Sequence, residues 1–245
     1  MTGTHYAVEA RFYDALYASG GRDVEAEVGR IDAVLDDLGV EPDSLLDVAC
    51  GTGVHLEVWE ARGWDVAGVD LSPEMLERAR ERLPEVELTE ADYRDFDLGR
   101  TFDVVTCLFS AIAHVEDEGG LDAAIDCMAG HVAPGGVLLV EPWLTPDRLR
   151  PGGVRDVLCA EVGDAAVSRV ARSQPEGESL RLEFGYTIAT PDGIDYQHIE
   201  MLLPTFPRER HLDAVRRSGL SPSWVDSHGF ADRRGLLVGM RERDG

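Results

Sequence analysis

Residues 44–55, SLLDVACGTGVH, hold an apolar run that ends in a glycine turn. Leu45, Leu46, Val48 and Ala49 have the length and continuity of a parallel strand covered on both faces, and Gly51-Thr52-Gly53 breaks them off. Glycine suits a turn of this kind because a Cβ would fill the space of an approaching ligand, and because such turns often need positive φ. About fifteen residues on, a second strand, Asp65 to Val69, ends in Asp70. A carboxylate at that strand end can accept hydrogen bonds from both hydroxyls of a ribose. The stretch therefore reads as the nucleoside-binding half of a doubly wound sheet.

A dinucleotide fingerprint requires a third small residue after the turn, where a helix packs beside a pyrophosphate. Here that position is Leu56, which weakens a dinucleotide reading. The string LDVACGTG at 46–53, with VDLSPEM at 69–75, resembles the class I S-adenosylmethionine-dependent methyltransferases. The resemblance implies a Rossmann-like α/β fold with a seven-stranded, mostly parallel sheet and S-adenosyl-L-methionine as cofactor. It places the methionine part of the cofactor over Ala49, Gly51 and Gly53, the ribose on Asp70 beside Leu71, and the adenine near Asp92, Tyr93 and Leu108. Tyr13 also falls on the cofactor side, and Arg22 is left to meet the cofactor carboxylate.

At 245 residues and 44% hydrophobic content, the chain suits one α/β domain with an elaboration. A net charge of −24 argues against nucleic-acid or anionic-membrane partners, which would be repelled. Every basic residue is Arg, and the acidic excess points to a high-salt setting or to an acidic genomic bias. Cys50, Cys107, Cys127 and Cys159 show no C-x-x-C spacing, so reduced thiols in a cytoplasmic protein are expected and no metal site is suggested. No apolar run reaches membrane-spanning length.

Taken in order, residues 5–18 place Tyr6, Phe12, Tyr13, Leu16 and Tyr17 on a helical face suited to a lid, and Gly20-Gly21 allows a hinge. Helices are expected at Val24–Leu38, Val54–Arg62, Pro73–Arg82, Leu121–His131 and Pro207–Ser218. Strands are expected at Val86–Glu90, Phe102–Phe109, Val137–Val140 after a Pro134-Gly135-Gly136 turn, Ser223–Asp226 and Gly235–Met240. Between them, VSRVARS, LRLEFGYTIA and IDYQHIEMLL alternate with period two across turn signals, and Val157–Val162 adds a strand. The division expected is a core of 1–150 and 204–245 with an N-terminal helical lid, and an inserted antiparallel subdomain, 151–203, that covers the acceptor or forms a homodimer face.

Ser110 to His114 continues past the carboxyl end of the fourth strand, where open α/β sheets bind ligands, and Glu141-Pro142-Trp143 enters the same crevice. A neutral His there can take a proton from an attacking amine, and Tyr13 and Tyr17 can orient it. A narrower likeness runs through FYDALY, LLDVACGTGVHLE, DYRDFDLGR, CLFSAIAH, HVAPGGVLLVEPW, SRVARS and RRGLLVG. In that order they are similar to the nucleotide-linked amino-sugar N,N-dimethyltransferases of macrolide pathways. The similarity implies a small-molecule acceptor with Tyr17 on the sugar, His114 as the base or orienting group, Trp143 lining the acceptor site, and Arg155, Arg169 and Arg234 meeting a diphosphate. Methylation of a small-molecule hydroxyl, a cofactor-binding regulatory protein without catalysis, and a nucleotide-dependent dehydrogenase stay open as alternatives.

Overall fold

The computed structural model describes residues 6–150, 152–226, 228–229 and 234–243; the side chain of Tyr6, and Arg233, lie outside what is described. Five parallel strands form its centre: β1 (Ser44–Val48), β2 (Asp65–Asp70), β3 (Glu87–Glu90), β4 (Phe102–Cys107) and β5 (Val132–Val140). An antiparallel pair, β10 (Ser221–Val225) and β11 (Leu236–Met240), completes a seven-stranded sheet of order β10-β11-β5-β4-β1-β2-β3. Strand order reverses at β1, so a crevice opens at its carboxyl end, beside those of β2 and β4.

Alternate residues of these strands feed two cores. Leu46, Val48, Val105 and Leu138 pack against α5 (Glu118–Gly130) and α6 (Arg208–Arg217), while Leu45, Val104, Val137 and Leu139 pack against α2 (Val24–Leu38), α3 (Val54–Ala61) and α4 (Pro73–Arg82). Covering both faces is what makes the strands read as unbroken apolar runs. Side chains at the helix starts satisfy backbone amides that lack partners within the helix. Asp23 caps α2, Ser72 caps α4 and Asp117 caps α5, each worth about 1 kcal/mol.

Two boundaries differ from the sequence expectation for a physical reason. The Pro134-Gly135-Gly136 turn does not precede β5 but forms a bulge inside it, where pairing jumps from Phe102↔Val132 to Val104↔Val137. A Cβ on Gly136 would stand 2.7 Å from the Asp103 carbonyl, so glycine is required there. At the other end of its partner, β4 stops at Cys107, because Phe109 and Ser110 turn into the left-handed region.

The segment between β5 and α6 forms a separate antiparallel sheet of β6 (Val154–Val162), β7 (Ala165–Glu176), β8 (Ser179–Thr190) and β9 (Gly193–Pro204). Its inner face buries Leu158, Val167, Tyr186, Ile188 and Ile199 against Phe12 and Leu16 of α1 (Tyr6–Ser19). The N-terminal helix is thus wedged between the inserted sheet and the core. Among the described residues, no helix is long and apolar enough to cross a membrane.

Candidate active site

The crevice at the carboxyl ends of the parallel strands is a cavity of about 400 Å³, within the range of small-ligand sites. Ala49, Gly51, Asp70, Ser72 and Met75 line it at the ends of β1 and β2; Phe109, Ala111 and His114 line it beyond β4, together with Met201 and Leu203 of the strand at 193–204.

Backbone geometry builds the first end. Ala49 and Gly51 have φ of 58° and 57°, which folds the chain back at the end of β1. A Cβ on Gly51 would meet nothing within 4 Å, so the space beside this turn is open to a ligand. Asp70 braces the turn from the neighbouring strand, its Oδ2 accepting from Gly51 N and its Oδ1 from Ser72 N, both at 2.8 Å. Burial pushes the Asp70 carboxyl up, while these amides draw it down. Gly53 does not line the cavity; with φ 76° it starts α3, packed against Leu83 and Ala79.

Leu71, half exposed, forms the rim with Asp92 and Tyr93. Asp92 accepts a fork from Arg94, Nε at 2.9 Å and Nη2 at 2.6 Å, which holds its carboxyl below the usual range. Leu108 is buried in the wall. The lid contributes Tyr13 directly. Tyr17 stands one layer back, with its ring centroid 4.7 Å from that of Tyr13 and 5.0 Å from that of Phe109.

Asp14, between the two tyrosines, fastens the lid to the glycine turn. Its Oδ1 accepts from Thr52 Oγ at 2.6 Å and its Oδ2 from Arg82 at 2.8 Å. The sequence reading missed Asp14, and spacing alone contains no signal for a bond across 38 residues.

Several expected arginine roles look different in place. Arg22 is absent from the cavity wall: it pairs with Glu27 at 2.9 Å and lies 4.1 Å from the Phe109 ring centroid, behind the wall. Arg169 is only 5% exposed, held between the rings of Tyr17 and Phe184 at 4.8 and 4.9 Å, with Asp156 3.6 Å away. Strand alternation turns Arg155 the opposite way, onto the exposed outer face of β6. The three arginines expected at one diphosphate are therefore not gathered in one place. Arg234 donates to Glu141 at 3.2 Å and lies 5.0 Å from the Trp143 ring, whose buried indole N–H has no partner among the described residues. No cluster that could hold a metal occurs among the described residues.

A methyltransferase-domain family model matches residues 45–136, the stretch from β1 into β5. The chain is 40% identical, over 95% of its length and 92% of the relative's, to dTDP-4-amino-2,3,4,6-tetradeoxy-D-glucose N,N-dimethyltransferase of Saccharopolyspora spinosa. It is also 40% identical, over 94% of its length and 90% of the relative's, to dTDP-3-amino-3,6-dideoxy-alpha-D-glucopyranose N,N-dimethyltransferase of Streptomyces fradiae. The chain belongs to the class I S-adenosylmethionine-dependent methyltransferases. Among solved structures, an S-adenosylmethionine-bound amino pentose methyltransferase from Micromonospora echinaspora matches this methyltransferase with a TM-score of 0.81 and 37% identity, covering 94% of this chain and 96% of the other. A sugar N-methyltransferase from Streptoalloteichus matches with a TM-score of 0.85 and 38% identity, covering 94% and 93%. The cavity fits the cofactor. The open turn at Gly51 can receive its methionine part, Asp70 its ribose, and the wall of Leu108, Tyr93 and Met75 its adenine.

Proposed function

We propose that this methyltransferase adds methyl groups to the amino nitrogen of a dTDP-linked amino sugar. One observation carries the reading: relatives 40% identical over almost the whole chain, inserted sheet included, are named for that reaction. Bound S-adenosylmethionine supplies a methyl group on a positively charged sulfur, open to in-line displacement.

The chain's own residues then have three tasks. His114, in the cavity wall, takes the proton that the acceptor nitrogen sheds, which suits an imidazole near neutral pH. Tyr13 orients the amine, and Tyr17, held in place by Arg169, backs the Tyr13 ring. Arg234, stacked beside the Trp143 ring, meets the anionic nucleotide part of the acceptor. In this reading the insert covers the acceptor through β9, whose Met201 and Leu203 line the same cavity as His114 and exclude water.

Incubation with S-adenosylmethionine and dTDP-linked amino sugars should give products heavier by one or two methyl groups in mass spectra. Tight binding of S-adenosylhomocysteine with no methylation of any dTDP-linked amine would reject this acceptor. We also infer a homodimer joined through the outer face of the insert, where Val157 is 62%, Ile194 58% and Tyr196 75% exposed. Sedimentation should show a dimer that Val157→Glu converts to a monomer. We infer further that the enzyme works in the cytoplasm and that its excess of acidic residues suits high salt.

A further inference from the structure

Phe109 and Ser110 leave β4 with φ of 54° and 61°. Neither is glycine, and such a conformation persists only where neighbouring groups hold it. The exit of β5 does so. Glu141 Oε2 accepts from Phe109 N at 2.9 Å, Ser110 Oγ donates to the Pro142 carbonyl at 3.0 Å, and Glu141 N donates to the Cys107 carbonyl at 2.9 Å. The turn held in this way leads directly into the short 3-10 helix Ala111–His114 and sets both Phe109 and His114 in the cavity wall. The second oxygen of the same carboxylate, Oε1, accepts from Arg234 at 3.2 Å. Its side chain is 16% exposed, so solvent screens these contacts little.

We infer that Glu141 is a positioning residue: one carboxylate oxygen locks the strained turn that presents His114, and the other ties that turn to Arg234 on the acceptor side. The inference rests on the proposed function only in taking the His114 end of the cavity as the place of methyl transfer.

Residue-resolved amide exchange by NMR on the full chain, together with steady-state kinetics, tests it. In Glu141→Ala the Phe109 amide should exchange about tenfold faster or more, while Val105 and Leu139 in the adjoining strands keep their protection. The value of kcat should fall about ten- to a hundredfold, because misplacing a reacting group by an ångström has that effect. KM for S-adenosylmethionine should move less than about threefold. Glu141→Gln keeps an acceptor oxygen for Phe109 and loses the charge facing Arg234. It should restore the Phe109 protection and most of kcat, and leave KM for the dTDP-linked acceptor raised. Should Glu141→Ala not fold, Glu141→Asp shortens the reach by one methylene and should show the same loss at Phe109. Unchanged Phe109 protection, protection lost equally along β4 and β5, an unaltered kcat, or no rescue by Gln would each overturn the inference. If the wild type methylates no dTDP-linked amine, the proposed function fails, yet exchange at Phe109 still decides whether Glu141 holds the turn.

Discussion

The two ends of the cavity are built in different ways. At the Asp70 end, the cavity wall is built by a backbone turn and one strand-end carboxylate, both within a single βαβ unit and separated by 19 residues. At the His114 end they come from a strained turn braced by a residue 32 positions away, a helix from the N-terminus, and a strand of the inserted sheet. Geometry at the first end is local and follows from a few small or acidic residues. Geometry at the second is assembled from four distant pieces, so it can be altered without disturbing the cofactor.

The sharpest way to break this contrast is at Asp70. Asp70→Ala removes two charge-assisted hydrogen bonds to backbone amides as well as the ribose acceptor, each worth about 1.5–3 kcal/mol. Affinity for S-adenosylhomocysteine should drop about a thousandfold by calorimetry; a small change would mean that the turn organises itself without Asp70. Next in size is His114→Ala. Turnover should fall about a hundredfold with cofactor affinity nearly unchanged. A parallel loss in both constants would place His114 at the cofactor rather than at the acceptor.

Asp14→Ala joins the two ends, since Asp14 fastens the lid tyrosines to the glycine turn. Losing it should cost about 1–2 kcal/mol, read as a rise of about tenfold in KM for S-adenosylmethionine. Arg234→Ala should raise KM only for an acceptor that carries a diphosphate, by about fivefold, the scale of one exposed charge-assisted contact. An equal rise with an acceptor lacking phosphates would remove Arg234 from that contact.

The smallest expected effect is on stability in acid. Burial raises the Glu27 carboxyl, but hydrogen bonds to His55 and Arg22 outweigh this and bring it down from 4.5 to about 2. With the folded value below the unfolded one, the pair stabilises fully above pH 4.5, and this contribution is lost as pH falls toward 2. Glu27→Gln should therefore lower the melting temperature at neutral pH and flatten its decline over that window.

Much of the Asp70 end was legible in the residues themselves. The largely apolar stretch Leu45–Val48, the glycines after it and the acid closing β2 each bear on backbone geometry within one supersecondary unit. The period-two pattern from Arg155 to Phe206 likewise announced the antiparallel sheet, which runs from Val154 to Pro204. Legibility failed where a residue's role depends on what the fold brings to it. Arg169 and Arg155 sit in the same sheet, yet alternation buries one between aromatic rings and turns the other to solvent. Nothing local marks Phe109 as left-handed, because the carboxylate that holds it arrives from the end of another strand.

The chain's own pattern is enough to specify a doubly wound sheet, its glycine turn and the carboxylate that faces it, since periodicity and backbone freedom act over a few residues. Packing of the lid helix between core and insert decided which aromatic rings reach the cavity, which arginines stay buried, and how His114 is presented. Those outcomes depend on contacts between segments far apart in sequence, formed only once the whole chain has folded.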